Sequence, residues 1–245
     1  MRTVHADQTG GSGRERGLLI VFEGGEGSGK STQLRRVSGA LEKRGVPHVC
    51  LREPGGTPLG TEVRRLLLDR GSDIVPRAEA LLFMASRAQV VDREIRPALA
   101  RGDVVLLDRF FLSTYAYQIA GHGLAESEVR AANQFATGGL IPDLTLLLEF
   151  PVGEGLARAA RRATAHDRME AMGDDFHRRV SAAFASFAAA DWQRTHPEVG
   201  PIVTVSAVGA EREVAARVEL ALATRWPGIF SSAIDSSIDR RIEGA

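Results

Sequence analysis

The 245-residue sequence contains a single cysteine, Cys50, and its six histidines show no metal-ligand spacing with it or with each other. One cysteine cannot form a disulfide within the chain, which excludes the disulfide-stabilised secreted scaffolds. A chain of this length can bury a sizeable hydrophobic core without disulfides or structural metal ions. The sequence is therefore expected to belong to a cytoplasmic protein without a structural metal site.

The chain also lacks net charge and long apolar runs. Its 31 basic and 31 acidic side chains cancel, so no overall electrostatic attraction to nucleic acid or to an anionic membrane is expected. The longest apolar runs, such as residues 144–148, are much shorter than the roughly 18 residues that a spanning helix needs. No apolar segment follows the basic N-terminal residues as a signal peptide requires. Neither membrane insertion nor export is predicted.

With 44% apolar and 25% charged residues, the chain has the composition of a soluble globular protein. The polar stretches 1–16 and 227–245 are predicted to be flexible tails. Apolar runs between them predict strands at 18–22, 48–52, 104–107, 143–150 and 202–205, with a long helix at 77–101 and a last helix at 211–225. Strands that alternate with helices favour one α/β domain at residues 17–226, a five-stranded parallel sheet with helices on both faces.

Residues 24–31 match the pattern G-x-x-x-x-G-K-[ST], between a predicted strand and a predicted helix. In such a P-loop, backbone N–H groups hold phosphate, the lysine (Lys30) reaches the outer phosphates, and the hydroxyl (Ser31) can bind magnesium. ATP is favoured over GTP because the only asparagine, Asn133, stands outside any Asn-Lys-x-Asp guanine motif. The predicted ATP-binding residues are Gly24, Gly25, Glu26, Gly27, Ser28, Gly29, Lys30, Ser31 and Thr32.

A P-loop identifies a nucleotide but not a reaction, which leaves a small-molecule kinase, a motor or switch ATPase, and a non-catalytic nucleotide-binding module. Arg52 ends the second predicted strand and Arg109 follows the third, so both are expected at the sheet edge where the P-loop lies. A kinase whose acceptor is itself a phosphate needs such a second anion clamp, because guanidinium groups bind phosphate oxygens bidentately. Either arginine alone is also compatible with a surface salt bridge.

Phe83 and Arg87 are four residues apart on the long helix and therefore share a face. An aromatic ring beside a guanidinium group can stack on a base and hydrogen-bond its edge. Phenylalanine at helical spacing is more often part of the core, so this pair alone is weak evidence.

Seven motifs occur along the chain: E-G-G-E-G-S-G-K-S-T at 23–32, R-E-P-G-G-T at 52–57, A-S-R at 85–87, D-R-F at 108–110, A-Y-Q at 116–118, P-D-L-T at 142–145 and D-R-M-E at 167–170. Taken together, they resemble those of bacterial thymidylate kinases. They follow the order and spacing of that family from about residue 18 to residue 226. The hexapeptide at 52–57 and the aromatic-rich stretch after Asp108-Arg109 are specific to the family, whereas the P-loop is generic.

The resemblance implies a nucleoside monophosphate kinase that transfers the γ-phosphoryl group of ATP to dTMP, giving dTDP for dTTP biosynthesis, as a magnesium-dependent cytosolic homodimer. It implies that Arg52 and Arg109 hold the dTMP phosphate, and that Ser31 and Asp108 serve magnesium, Asp108 from behind its waters. It implies that Phe83 stacks on thymine and that Arg87 and Thr114 hydrogen-bond the edge of the base. It also implies that Glu26 faces the sugar 3′-hydroxyl and that the ring of Tyr117 excludes a ribose 2′-hydroxyl. The implied dTMP-binding residues are Glu26, Arg52, Phe83, Arg87, Arg109, Ser113, Thr114, Tyr117 and Gln118.

The resemblance also implies a closing lid at about residues 155–170. Family members with a small residue at one P-loop position, here Gly27, supply a catalytic arginine from this lid. Among Arg158, Arg161, Arg162 and Arg168, Arg162 is the first candidate and Arg158 the second, with a solvated basic helix face as the alternative. The expected catalytic residues are Lys30, Asp108, Arg109, Arg162 and Arg158. A P-loop ATPase or interaction module without kinase turnover remains the alternative function.

Overall fold

The computed structural model describes residues 16–151 and 167–230. The strands are β1 (Leu19–Glu23), β2 (His48–Arg52), β3 (Val104–Asp108), β4 (Leu144–Glu149) and β5 (Ile202–Ser206). The helices are α1 (Lys30–Lys43), α2 (Pro58–Leu68), α3 (Pro76–Val90), α4 (Arg96–Arg101), α5 (Phe111–Thr114), α6 (Glu126–Thr137), α7 (Asp174–Ser186), α8 (Ala190–Thr195), α9 (Glu211–Arg225) and α10 (Pro227–Phe230). Two π-helical segments, Val91–Ile95 and Tyr115–Gly121, continue α3 and α5.

The five strands form one parallel sheet in the order β2-β3-β1-β4-β5. Asp108 at the end of β3 is level with Arg52 of β2 and Phe22 of β1. The carboxyl ends of these three strands therefore meet at one edge, which brings together three of the sequence motifs.

Alternate residues of the sheet supply two separate hydrophobic cores. Leu19 and Val21 of β1 pack with residues of α3, the π-helical segments and α7 on one face. Ile20 and Phe22 pack with α1 and α9 on the other. Strands buried on both faces require continuous apolar runs, which is the pattern that the sequence displays. The predicted α/β class, with a five-stranded parallel sheet and helices on both faces, is confirmed.

The helical segment predicted at 77–101 spans residues 76–101, but a π turn at Val91–Ile95 interrupts it. The π turn lies just before Pro97, which has no N–H to donate and whose ring clashes with the preceding turn of an α-helix. The wider turn accommodates this proline within a continuous helical path.

The C-terminal boundary differs from the predicted one. Residues 227–230, placed in the tail by the sequence, form α10, so Glu211–Arg225 is not the last helix. Phe230 is buried in the core beside α1, and Arg44 Nη1 donates to Ile229 O at 2.8 Å. Four residues are too few to display helical periodicity, so this turn had no sequence signal.

Within the part of the chain that the structure describes, no helix combines the length and apolar character needed to cross a membrane.

Candidate active site

A cavity of about 470 Å³ opens at the carboxyl ends of β1, β2 and β3. Most residues predicted to bind the two nucleotides or magnesium line it, whereas Gly24, Gly25 and Ser28 are not among its lining residues. Those that line it are Glu26, Gly27, Gly29, Lys30, Ser31, Thr32, Arg52, Phe83, Arg87, Asp108, Arg109, Ser113, Thr114, Tyr117 and Gln118. The lid arginines Arg158, Arg161 and Arg162 lie outside the described residues.

The P-loop joins β1 to α1. Gly24 has a φ of 140°, and a Cβ there would lie 2.5 Å from Leu148 O, so only glycine fits this approach to β4. Gly29 immediately before α1 has a φ of 89°. Ser28 Oγ donates to Gly25 O at 2.9 Å and closes the loop on itself. The backbone N–H groups of this loop and the first turn of α1 form the kind of surface that binds phosphate.

Lys30 lies inside this loop. Its Nζ donates to Gly24 O and Gly25 O, each at 2.8 Å. The pKa of Lys30 is lowered to about 8, chiefly by burial and also by nearby Arg109, while Glu26 and Asp108 act in the opposite direction. The ammonium group is therefore mostly protonated at neutral pH, as a phosphate-binding lysine must be.

The two side chains predicted to serve magnesium are in contact. Ser31 Oγ donates to Asp108 Oδ2 at 2.5 Å. A hydroxyl and a carboxylate are hard oxygen donors, which Mg²⁺ prefers, and P-loop proteins hold this ion through few side chains together with the nucleotide phosphates. The residues present thus fit the ion.

Arg109 links the end of β3 to the P-loop. Its Nη2 donates to Glu26 Oε1 at 2.5 Å, and its Nη1 donates to Ser113 Oγ at 3.0 Å and to Gly24 O at 3.5 Å. Its φ of 72° is the one positive value among the described non-glycine residues. Such a conformation persists only where surrounding contacts hold it, and it is characteristic of functional sites.

Tyr117 completes this cluster. Its hydroxyl donates to Glu26 Oε1 at 2.8 Å, and the guanidinium carbon of Arg109 lies 5.3 Å from its ring centroid. Burial would raise the pKa of Glu26, but Arg109, Lys30 and the Tyr117 hydrogen bond lower it to about 2. Burial and Glu26 raise the pKa of Tyr117. The cluster therefore carries a carboxylate, a guanidinium and a neutral phenol at physiological pH.

At the other end of the cavity Arg87 is buried, with 2% of its side chain exposed. It donates to Glu53 Oε2 at 2.7 Å, Thr114 Oγ1 at 2.8 Å, Asn133 Oδ1 at 2.5 Å and Phe110 O at 2.8 Å. A guanidinium group has five N–H donors. One Nη2 N–H thus makes no hydrogen bond with the described residues and remains for a ligand.

Glu53 is the counter-ion of Arg87 and is itself 4% exposed. The pKa of Glu53 is raised to about 7, because burial, together with the like charge of Glu23, outweighs the opposing effect of Arg87. Its Oε1 is buried without a hydrogen-bond partner among the described residues. The carboxyl group lines the cavity and holds Arg87 in place.

Sequence reasoning missed several residues of this site. Arg64 of α2 lines the cavity, donates to Pro54 O at 3.2 Å, and has its pKa lowered by burial and by the neighbouring Arg52 and Arg109. Its place about two helical turns beyond the R-E-P-G-G-T motif was the available signal. Glu23, fully buried at the end of β1, accepts from Phe110 N–H and Ser113 N–H and fixes the start of α5.

Three residues of the D-R-M-E motif also line the cavity, Asp167, Met169 and Glu170. Glu170 N–H donates to Asp167 Oδ1 at 2.9 Å, which closes the turn they form. Arg168, the one candidate lid arginine among the described residues, donates from Nε to Leu67 O of α2 at 2.8 Å.

Comparisons with known proteins agree with this geometry. The family model described as thymidylate kinase matches residues 22–197. A thymidylate kinase of Synechococcus sp. is 47% identical over 210 residues, covering 86% of this chain and 96% of that protein. The thymidylate kinase of Deinococcus radiodurans is 45% identical over 209 residues, covering 85% and 98%, and that of Leifsonia xyli is 49% identical over 173 residues, covering 71% and 82%. The chain belongs to the thymidylate kinase family.

Proposed function

We propose that the side chains of this cavity transfer the γ-phosphoryl group of ATP to the phosphate of dTMP, giving dTDP. The main support for this proposal is the contact between the P-loop and the arginine predicted to bind the acceptor phosphate. Arg109 donates hydrogen bonds to both Gly24 O and Glu26 Oε1 of the P-loop. An ATPase or an interaction module without kinase turnover has no need of a second anion clamp that touches the first. Family membership also favours the kinase.

The acceptor needs no general base. A phosphate monoester has a second pKa of about 6 and is already ionised at neutral pH. The difficulty lies in bringing two anions together, so catalysis depends on positioning and on cations around the migrating group. Lys30 faces the donor phosphates, while Arg52 and Arg109 hold the acceptor phosphate. Arg64, which lines the same wall, adds a third guanidinium group there.

Ser31 and Asp108 would hold Mg²⁺ at the donor phosphates. When bound, the ion neutralises charge on the β- and γ-phosphates. The measurement is nucleotide turnover with and without added Mg²⁺ for the wild type and Ser31→Ala, which is expected to need a higher Mg²⁺ concentration for half-maximal activity.

The opposite end of the cavity would take the nucleoside. Phe83 offers a ring for stacking on thymine, and Arg87 and Thr114 offer hydrogen bonds to the base edge. The resemblance to thymidylate kinases supports placing the sugar 3′-hydroxyl against Glu26 and the Tyr117 ring where a ribose 2′-hydroxyl would lie. The hydrogen bond between Tyr117 and Glu26 keeps these two side chains together. Ser113 and Gln118 complete the pocket.

A lid arginine remains part of this proposal on sequence grounds. Gly27 adds no cation to the P-loop, and arginines that cover the γ-phosphate in other phosphoryl-transfer enzymes contribute about 10³- to 10⁵-fold in rate. Arg162→Ala is expected to lower kcat by at least about 10²-fold with little change in dTMP affinity, and Arg158→Ala to have a smaller effect. Normal turnover of Arg158→Ala, Arg161→Ala and Arg162→Ala alike would contradict the idea.

We further propose that the protein is a homodimer. Helices α2, α3 and α6 pack side by side and carry large apolar side chains in solvent, among them Phe135 at 91% and Leu81 at 63% exposure. Leu59 and Leu66 of α2 are also exposed, at 48% and 41%. Large exposed apolar side chains on neighbouring helices are typical of interfaces between proteins.

Sedimentation of the Phe135→Asp variant tests the dimer. It is expected to shift the protein toward monomer, whereas Leu220→Asp on α9, where Leu220 is 69% exposed, is expected to leave the assembly unchanged. An unchanged sedimentation coefficient for both variants would contradict this interface.

The reaction itself is tested with ATP and Mg²⁺ supplied to each nucleoside monophosphate in turn, following nucleoside diphosphate formation. We expect dTMP to be preferred, dUMP to be slower because it lacks the methyl group, and UMP to be poorer still. A single free cysteine and a reaction between soluble nucleotides support a cytoplasmic location.

A further inference from the structure

Glu79, in the first turn of α3, is a fully buried carboxylate that the reaction described above does not use. Its Oε1 accepts from Gln118 Nε2 at 3.0 Å and lies 2.9 Å from His122 Nε2. Its Oε2 accepts from Arg168 Nη2. An ionised carboxylate is costly to bury unless it is paired and hydrogen-bonded, and this group meets both conditions.

The three partners come from different parts of the cavity wall. Gln118 belongs to the π-helical segment Tyr115–Gly121 and lines the cavity. Arg168 lies in the turn whose neighbours Asp167 and Met169 line the cavity from the other side. Glu79 therefore lies behind two walls of the nucleoside pocket at once.

Arg168 is fixed independently of Glu79. Its backbone N–H donates to Leu68 O at 3.1 Å and its Nε to Leu67 O at 2.8 Å, both at the end of α2. The guanidinium group is thus a preplaced counter-ion. Burial acts to raise the pKa of Glu79, but the hydrogen bonds from His122, Arg168 and Gln118 lower it, so the group is a carboxylate at neutral pH.

A carboxylate accepts hydrogen bonds and donates none, so it selects one of the two orientations of a facing amide. With Glu79 ionised, Nε2 of Gln118 must face it, because a carbonyl oxygen in that place would meet a negative charge without a proton between them. Gln118 is 2% exposed, so its amide cannot exchange this partner for bulk water. The orientation of the amide toward the cavity is then determined by a residue that does not line it.

We propose that Glu79 is a positioning residue for the acceptor nucleoside: it holds the Gln118 amide in one orientation, so that the base meets a fixed pattern of donor and acceptor. The proposal rests on the placement of dTMP beside Gln118 given under Proposed function. Glu79→Gln keeps the shape but can donate as well as accept, which makes both orientations of Gln118 available. The donor and acceptor that Gln118 presents to the base are then no longer fixed.

The test is a double-mutant cycle of Glu79→Gln and Gln118→Ala in the full chain, with KM and kcat measured for dTMP and for ATP. Glu79→Gln is expected to raise the KM for dTMP about tenfold and to leave the KM for ATP unchanged within about twofold. In the Gln118→Ala background the same change is expected to have less than about a threefold effect. Glu62→Gln, whose carboxylate is 68% exposed and pairs with Arg65, is the matched control and is expected to alter neither KM.

A general loss of structure in Glu79→Gln would raise the KM for both dTMP and ATP. The increase would then be equally large with and without the Gln118 side chain. Equal effects in the two backgrounds, or parallel changes for dTMP and ATP, would overturn the proposal. If Glu79→Gln does not fold, Glu79→Asp replaces it in the cycle: the carboxylate stays acceptor-only but is withdrawn from Nε2, and an increase of about threefold in the KM for dTMP is expected, again dependent on Gln118.

The same series separates this proposal from the proposed function. Phosphorylation of dTMP by the wild type tests the reaction. If that reaction proceeds but Gln118→Ala leaves the KM for dTMP unchanged, Gln118 does not contact the acceptor. The positioning role of Glu79 is then contradicted, while the proposed kinase activity is not.

Discussion

The cavity contains two arginine–glutamate pairs of similar geometry and opposite electrostatic behaviour. Arg109 and Glu26 meet at 2.5 Å near the P-loop, and Arg87 and Glu53 meet at 2.7 Å at the nucleoside end. The pKa of Glu26 falls to about 2, whereas the pKa of Glu53 rises to about 7. A short distance to an arginine therefore does not decide the charge state of a carboxyl group.

The difference lies in the remaining neighbours. Burial penalises both carboxylates, but Glu26 also faces the Lys30 ammonium and accepts from the Tyr117 hydroxyl. Glu53 has Arg87 alone, one oxygen without a partner among the described residues, and the like charge of Glu23. One cation does not offset the cost of removing a carboxylate from water, whereas two cations and a hydrogen bond do.

The two arginine–glutamate pairs also differ in how much of their side chains is exposed, and this difference matches different roles in binding. The side chains of Arg109 and Glu26 are 19% and 28% exposed, so they can exchange protein partners for phosphate oxygens and a sugar hydroxyl. Those of Arg87 and Glu53 are 2% and 3% exposed, and four of the five N–H donors of Arg87 are committed to protein groups. The first pair is suited to binding and releasing an anion, and the second to holding a rigid wall against a neutral base.

Arg109→Lys tests the phosphate end and has the largest expected effect. Lysine keeps the charge but cannot bind two phosphate oxygens or reach Glu26 and Ser113 together. We expect kcat/KM for dTMP to fall about 10³-fold while the KM for ATP changes little. Steady-state kinetics with each substrate varied in turn gives both values.

Arg101→Lys is the control, since Arg101 is 57% exposed and pairs with Asp103 away from the cavity. Equal weakening of dTMP and ATP in Arg109→Lys would assign Arg109 a structural role instead of an acceptor-binding role.

Glu53→Gln tests the nucleoside end through stability. A carboxyl group with a raised pKa in the fold contributes most below its unfolded value of 4.5, and the contribution is lost as the pH rises through about 7. Relative to Glu53→Gln, the wild type should therefore lose stability between pH 4.5 and pH 8, by about 3 kcal/mol at most. Glu26 has the opposite sign: its contribution is present above 4.5 and is lost as the pH falls toward about 2.

Denaturant unfolding of wild type, Glu53→Gln and the surface control Glu42→Gln at several pH values measures this difference. A gap between wild type and Glu53→Gln that does not change with pH would mean that Glu53 keeps its charge in the fold, as Glu26 does.

The same contrast explains what the sequence could predict. Lys30, Ser31 and Gly24 belong to one contiguous motif, and Arg52 and Arg109 follow strands whose apolar runs are plain, so the phosphate end was predictable from local patterns. The pair Arg87–Glu53 joins positions 34 residues apart, and Arg168 reaches Glu79 across 89 residues. Such pairs depend on how α2, α3 and the 167–170 turn pack against one another. The spacing of apolar residues within a single segment does not predict this packing.

Other differences have local causes. The π turn at Val91–Ile95 was hidden because apolar spacing continues through it, while α10 is too short for a period to be seen. The proposed roles of Phe83, Thr114 and Gln118 stay predictions, as do those of Arg158 and Arg162 outside the described residues.

The smallest expected effect comes from Tyr117, which lies between the two ends and bonds Glu26 through its hydroxyl. If its ring excludes a ribose 2′-hydroxyl, Tyr117→Ala should raise kcat/KM for UMP relative to dUMP by about tenfold, because a steric clash is removed and the base contacts remain. The preference for dTMP over dUMP should change by less than about twofold, since the methyl group is recognised elsewhere.

Tyr117→Phe separates the ring from the hydroxyl: it keeps the excluding ring, so its sugar selectivity should match the wild type even though Glu26 has lost one hydrogen bond. Competition between dUMP and UMP in each variant gives the ratio directly. A ratio in Tyr117→Ala equal to that of the wild type would show that sugar discrimination does not depend on this ring.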